Sequence, residues 1–205
     1  MYDYLLSAFT TLFVIVDPIG LAPIFMAVTI GLTAAERRTV AWRSCLTATL
    51  ILLGFAVGGA ALLKFLGISI AAFRIAGGLL MFVIAFEMVF ERRQERKVST
   101  AERQVEDIHS MAVFPLAIPL ISGPGAISAT VVIASQAPNW LGQLAMLAII
   151  LVNMAITYGF FLAAEAIDRA LGNTGRVVIT RLFGVLLAAV AVQIVADGAR
   201  ELIAG

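Results

Sequence analysis

Charged residues are scarce in this chain of 205 residues: they make up 13% of it, against roughly 25% in a typical soluble domain. Hydrophobic residues make up 61%. A soluble fold of this length would leave much of that apolar surface facing water. The shortage of charge therefore excludes a soluble domain and predicts that lipid surrounds most of the chain.

Cysteine and histidine are almost absent. A single cysteine, Cys45, excludes an internal disulfide, and a single histidine, His109, excludes a metal site built with it. The net charge of +1 excludes a basic nucleic-acid reader. We therefore expect no enzymatic activity, no catalytic residue, no cofactor and no nucleic-acid partner. Coupling to a proton or to Na⁺ stays open.

Long apolar runs dominate what is present, and several are apolar at every position, which favours helices over barrel strands. We predict an all-α membrane protein of six transmembrane helices, near residues 2–31, 41–66, 68–90, 111–137, 140–164 and 177–203. Residues 91–110 form the one sustained polar stretch, interpreted as a cytoplasmic connector or a partner-docking loop. The predicted units are residues 1–90, the connector 91–110 and residues 111–205.

The basic residues predict the orientation, because cytoplasmic loops carry an excess of Lys and Arg. Eleven lie on the side of the odd-numbered connections and three on the other. The eleven are Arg37, Arg38, Arg43, Arg92, Arg93, Arg96, Lys97, Arg103, Arg169, Arg176 and Arg181, and the three are Lys64, Arg74 and Arg200. Both termini are therefore expected on the outer side, with Trp42 at the inner interface.

Two landmarks recur in the same order in both halves. The landmarks are the proline pairs Pro18/Pro23 and Pro119/Pro124, offset by 101 residues, and the Arg-x-x-Gly-x-Leu-Leu motifs from Arg74 and Arg181, offset by 107. A duplicated unit of three helices inverts its topology, and inverted repeats with interrupted helices are typical of secondary transporters. We predict two inverted three-helix repeats; the alternative is chance similarity between apolar segments.

The prolines and nearby glycines predict that the first and fourth helices break near mid-membrane. The residues at the breaks are Asp17, Pro18, Gly20, Pro23, Ser122, Gly123, Pro124 and Gly125. Half-helix ends expose amide donors and carbonyls that suit the two charges of a zwitterionic amino acid. The alternative is two kinked helices packed for shape alone.

Asp17 is predicted to cap the half-helix that begins at Pro18, to contact substrate or a coupling ion, or both. Asn153, in the fifth run, is expected to contact the cavity or to make an interhelical hydrogen bond. In the third and sixth helices, residues of opposite charge are expected at the same depth in the membrane. We therefore predict the ion pairs Arg74–Asp197 and Arg181–Glu87, acting as staples or gates.

These residues make the chain resemble the MarC family of bacterial inner-membrane proteins. The resemblance rests on Asp17 to Gly20 with Pro23, on Pro115 to Ile127, on Phe73 to Gly78 and on Arg181 to Gln193, and it spans essentially the whole chain. It implies six transmembrane helices in the bacterial inner membrane and a relation to the LysE-type amino-acid exporter superfamily. Family members often carry asparagine at the position of Asp17, which argues against an obligatory proton relay there.

The resemblance implies, for some members, transport of small neutral amino acids such as alanine and glycine. Together with the broken helices it predicts a secondary transporter whose midplane site takes a small molecule. A structural or regulatory membrane protein without transport activity and a small-ion channel are the alternatives. Substrate, transport direction, coupling ion and oligomeric state do not follow from the sequence.

Overall fold

The computed structural model describes residues 1–90 and 112–204, and over these residues the chain is all-helical, with no strand. The connector predicted at 91–110 lies outside the described residues. The helices are α1 Tyr2–Val16, α2 Pro18–Val28, α3 Ala34–Phe65, α4 Ile70–Val89, the π-helical α5 Ala112–Ile121, α6 Pro124–Ser135, α7 Trp140–Leu162 and α8 Ala164–Ala204.

Five segments are long and apolar enough to cross a membrane: Tyr2–Val28, Ala34–Phe65, Ile70–Val89, Trp140–Leu162 and Val177–Ile203. They correspond to five of the six predicted runs. The predicted run 111–137 is instead divided between α5 and the 12-residue apolar α6. The chain is therefore a helical membrane protein with five candidate spans in the described residues.

Two helices begin before the predicted apolar runs. α3 begins at Ala34, because Thr33 and Glu36 form a reciprocal capping box at its start. α8 begins at Ala164 and bends at Gly172, where φ is 60° and ψ is −177°, a conformation that essentially only glycine adopts. The basic residues Arg37 and Arg169 thus lie in helical turns and not in loops.

Contacts between helix ends show which ends lie on the same side of the bundle. The Tyr4 hydroxyl donates to the carbonyl of Ile133, so the start of α1 and the end of α6 share a face, here called the N-terminal face. Phe25 stacks on Phe161, which brings the ends of α2 and α7 together at the opposite face, called the Arg38 face. Successive long helices therefore run in alternating directions.

The interrupted helices form the centre of the bundle. In the most apolar part of Tyr2–Val28, 72% of the residues are buried, against 28–33% in the other four candidate spans. In α6, every residue from Gly125 to Ala134 except Ile127 is buried. The outer helices present aliphatic residues such as Leu50, Leu79 and Val185 on the surface, as expected where lipid is the solvent.

Candidate functional site

Asp17 forms the first break. It has φ 56° and ψ 62°, the left-handed conformation that asparagine and aspartate tolerate better than other non-glycine residues. It ends α1 by donating its N–H to the Phe13 carbonyl at 2.9 Å. It begins α2 by accepting a hydrogen bond from the Gly20 N–H on its carboxylate at 3.0 Å. The capping role predicted for this fully buried residue is therefore confirmed.

The two prolines of α2 differ in effect. Pro18 occupies the first helical position, where a missing N–H costs nothing. Pro23 was expected to break or kink its helix, yet α2 continues through it to Val28. Because proline has no N–H, the carbonyl four residues earlier, that of Ile19, lacks its helical donor. The first break thus leaves a backbone acceptor close to Asp17.

The second break is built without a side-chain cap. α5 ends in a wide turn in which the Ser122 N–H donates to the Ala117 carbonyl, five residues back, at 2.9 Å. Gly123 is the N-cap of α6 in an extended conformation, and no side chain caps the helix there. Pro124 takes the first helical position and Gly125 the second. Within residues 1–90 and 112–204, the first amides of α6 therefore lack a side-chain acceptor.

The two breaks lie beside each other. A Cβ built on Gly125 would clash with Ile84 Cδ1 of α4 and would lie 4.0 Å from Cγ2 of Ile15, two residues before Asp17. The Ser122 hydroxyl donates to the Ala48 carbonyl of α3 at 3.3 Å. Asp17, Ser122 and Gly125 are thus gathered in the core of the bundle, whereas Gly123 is partly buried and Pro124 is exposed.

Asn153 lies on α7, the helix that packs against both α1 and α2. Its side-chain amide donates to the Ile149 carbonyl at 3.0 Å, within its own helix. Its side-chain oxygen is buried and accepts no hydrogen bond from the described residues. In the described part of the chain, Asn153 therefore does not make the interhelical bond that was the alternative to a cavity contact.

The predicted pair of Arg74 with Asp197 is wrong. Arg74 pairs with Glu201, one helical turn farther along α8, with an N–O distance of 2.6 Å. Asp197 instead accepts a hydrogen bond from Gln193 and lies 3.8 Å from Arg200. The prediction placed the residues at the right level, because Gly198 of α8 packs against the backbone of α4 at Ala71.

Side-chain direction explains the shift. Helical side chains lean toward the N-terminus of their helix. α4 and α8 are antiparallel, so the side chain of Arg74 leans toward higher residue numbers of α8, while that of Asp197 leans away toward Gln193. Arg181 and Glu87 lie on the same two helices, and their pairing stays a prediction.

The repeat stays a prediction, and the helix starts favour a different alignment of its two halves. Pro18 and Pro124 both stand at the first position of a helix, and they are 106 residues apart, whereas the sequence comparison aligned Pro18 with Pro119. The N-caps Thr33 of α3 and Asn139 of α7 are also 106 residues apart. This spacing agrees with the offset of 107 between the Arg74 and Arg181 motifs.

A cleft of about 360 Å³, here called the inner cleft, enters the bundle from the Arg38 face. Its lining includes Arg37, Arg38 and Glu165, together with the buried rings of Phe25 and Phe161. The two rings stack nearly parallel, with centroids 4.5 Å apart. The sequence analysis missed both phenylalanines, because an apolar residue in an apolar run carries no signal of its own.

Comparison with known proteins gives one consistent result. Residues 2–203 match the model of the MarC family, described as integral membrane proteins. A UPF0056 membrane protein of Methanocaldococcus jannaschii is 38% identical over 199 residues, 97% of each chain. UPF0056 membrane protein YvbG of Bacillus subtilis is 36% identical, over 97% of this chain and 95% of its own length. No solved structure matches. The chain is therefore a multi-pass integral membrane protein that belongs to the MarC family.

Proposed function

We propose that this protein is a secondary transporter of small neutral amino acids, of the size of alanine and glycine, and not an enzyme. The observation that carries the proposal is the adjacency of two interrupted helices in the buried centre of the bundle, joined by the contact zone of Ile15 and Gly125. Irregular backbone in a membrane protein is tolerated where protein or a polar cavity surrounds it. Transporters use such breaks to bind charged groups of substrates.

The carboxylate of the substrate binds at the start of α6. The N–H groups of Gly125 and Ala126 belong to the first turn, which has no intrahelical acceptors, and Gly123 supplies no capping oxygen. The positive end of the helix dipole stabilises an anion at this position.

The ammonium group of the substrate binds at the first break. The Ile19 carbonyl lacks a helical donor because of Pro23, and the carboxylate of Asp17 lies at the start of the same helix. The oxygen of Asn153 supplies a further acceptor from α7. The close fit of Gly125 against Ile84 restricts the site to substrates with small side chains.

An inverted repeat of six spans, with α5 and α6 together as the fourth, accounts for the packing. The larger contacts between the halves then correspond in pairs: α1 and α2 pack against α7 and α8, α5 packs against α3, and α6 packs against α3 and α4. Three contacts join equivalent spans of the two halves: α3 with α7, α4 with α8, and α1 with α6. A two-fold relation of this kind allows alternating access around a fixed site.

The Phe25–Phe161 stack closes the site toward the Arg38 face, and the inner cleft is the vestibule beyond it. The excess of basic residues supports a cytoplasmic position for this face and an outer position for both termini, in the inner membrane of a bacterial cell. A relation to the LysE-type exporter superfamily is part of the same proposal.

Counterflow in proteoliposomes tests the function. Purified protein is reconstituted with unlabelled alanine inside, and entry of labelled alanine and glycine is followed against liposomes without protein. We expect saturable entry that a bulky neutral amino acid such as phenylalanine does not inhibit. No saturable entry for either amino acid would overturn the proposal, and a conductance through the same liposomes would favour the channel.

Asp17→Asn tests coupling in the same vesicles. Asparagine retains the cap and tolerates the left-handed conformation, but it cannot carry the proton of a carboxyl group. Counterflow requires no net driving force, so it should continue after the change, with a higher KM because the ammonium loses a charged partner. If uptake driven by a pH gradient is lost while counterflow survives, Asp17 carries the coupling proton; if both survive unchanged, it does not.

A further inference from the structure

A second cleft, here called the interfacial cleft, lies on the Arg38 face between the start of α3 and the end of α7. Its volume is about 750 Å³, and its lining residues are Ala34, Ala35, Arg38, Thr39, Trp42 and Tyr158. We propose that this cleft binds the phosphate of an anionic phospholipid headgroup, with one acyl chain lying along α3. The proposal does not depend on the transport function.

The arginine in the cleft is held in place and keeps free donors. Arg38 Nε donates to the Tyr158 hydroxyl at 3.4 Å, which fixes the plane of the guanidinium. Its terminal amino groups donate to no side chain or carbonyl within residues 1–90 and 112–204. A planar guanidinium with two parallel N–H groups matches a phosphate bidentately.

The aromatic wall completes the binding geometry. Trp42 packs edge-on against Tyr158, with ring centroids 5.9 Å apart, and it is 55% exposed. Tryptophan and tyrosine accumulate at the level of lipid headgroups, because their rings are apolar and their N–H and O–H groups are polar. Among the described residues that line the cleft, Arg38 is the one charged side chain, so the cleft selects an anion.

The surface of α3 beyond the cleft changes from charged to apolar in the same order as a phospholipid does from its headgroup to its acyl chain. Arg38, Trp42, Leu46 and Leu50 are spaced by four residues and therefore lie along one side of α3, and all four are exposed. Along this side a charged group is followed by an amphipathic ring and then by aliphatic side chains. A soluble phosphate would use only the first of these, so the continuation favours a lipid.

Quenching of Trp42 fluorescence provides a direct test. The chain has two tryptophans, so Trp140→Phe leaves Trp42 as the single emitter. The protein is placed in phosphatidylcholine nanodiscs that contain a small fraction of either brominated phosphatidylglycerol or brominated phosphatidylcholine. We expect the anionic brominated lipid to quench Trp42 several-fold more than the zwitterionic one. Equal quenching by the two lipids would overturn the proposal.

Variants distinguish specific binding in the cleft from a general attraction of anionic lipids to basic residues. Arg38→Gln should weaken binding of the brominated anionic lipid by about tenfold, from loss of a charge-assisted bidentate contact. Tyr158→Phe keeps the charge but removes the hydroxyl that orients Arg38, and it should weaken binding by about threefold. Arg43→Gln removes the same charge from the same end of α3, outside the cleft lining, and serves as the matched control.

Three results would contradict the site. If Arg43→Gln lowers quenching as much as Arg38→Gln does, the attraction is a general surface effect. If Tyr158→Phe has no effect while Arg38→Gln does, the guanidinium is not held as the structure shows. If millimolar inorganic phosphate abolishes the selective quenching, the cleft takes free phosphate and the lipid assignment fails.

Discussion

The two helix breaks differ in how they satisfy their own backbone. At Asp17 a side chain caps the start of the new helix and a left-handed residue ends the old one, and the acceptor left over is the Ile19 carbonyl opposite Pro23. At Gly123 the chain passes from a π-helical turn into α6 without any side-chain cap. The start of α2 is therefore capped by its own chain, whereas the start of α6 leaves its first amides available to a neighbouring group.

This difference assigns separate roles to the two halves of the site. A capped helix start has one donor fewer to offer an anion. An uncapped start retains its donors and its dipole. We therefore attribute carboxylate binding to α6 and ammonium binding to the region of Asp17.

Closing the space between the breaks should have the largest effect. Gly125→Val places branched carbons against Ile84, and overpacking of this kind costs about 1–3 kcal/mol of stability. We expect a lower melting temperature in detergent and loss of counterflow. Gly54→Val is the matched control, because a Cβ at Gly54 meets no atom within 4 Å. Equal damage from both variants would show that the contact at Gly125 is not special.

Removing the cap of the first break should have the next largest effect. Asp17→Ala loses the hydrogen bond to Gly20 and forces alanine into a left-handed conformation, at a cost of about 2 kcal/mol in total. Asp17→Asn should cost well under half as much, because asparagine caps helices and tolerates this conformation. Thermal unfolding of the two variants in detergent measures the difference, and equal melting temperatures would refute the capping account.

Adding a cap to the second break should raise stability and impair function. Gly123 has φ −72° and ψ 170°, a conformation that serine adopts without strain. Gly123→Ser should therefore stabilise the protein by a few tenths of a kcal/mol through the cap and by about 0.4–1 kcal/mol through lower entropy of the unfolded chain, while its hydroxyl occupies a donor proposed for the substrate. We expect a higher melting temperature together with a higher KM in counterflow. A higher melting temperature with an unchanged KM would move the carboxylate site elsewhere.

Breaking the ion pair at the N-terminal face should have the smallest effect. Glu201 is half-exposed beside Arg74, and pairs of this kind contribute about 0–1 kcal/mol. Glu201→Gln should lower the melting temperature slightly, and Asp197→Asn should not reproduce the loss. An effect confined to Asp197→Asn would restore the pairing predicted from sequence.

The helices and their breaks could be predicted from the sequence, because apolar length, proline and glycine act on local structure. Prediction failed where tertiary geometry decides. The alignment of the two predicted repeats depends on which proline begins a helix. Composition alone does not show that Pro124, and not Pro119, has this role. The partner of Arg74 depended on the lean of side chains between antiparallel helices. The Phe25–Phe161 stack depended on two helices meeting end to end, which no local pattern records.

The central claim is that the uncapped start of α6 binds the carboxylate of a small amino acid. The most direct measurement compares alanine, alaninamide and ethylamine as competitors of labelled alanine counterflow in the parent protein and in Gly123→Ser. We predict that alanine competes, that the two compounds without a carboxylate do not, and that Gly123→Ser weakens competition by alanine. Competition by alaninamide as strong as that by alanine would contradict the claim.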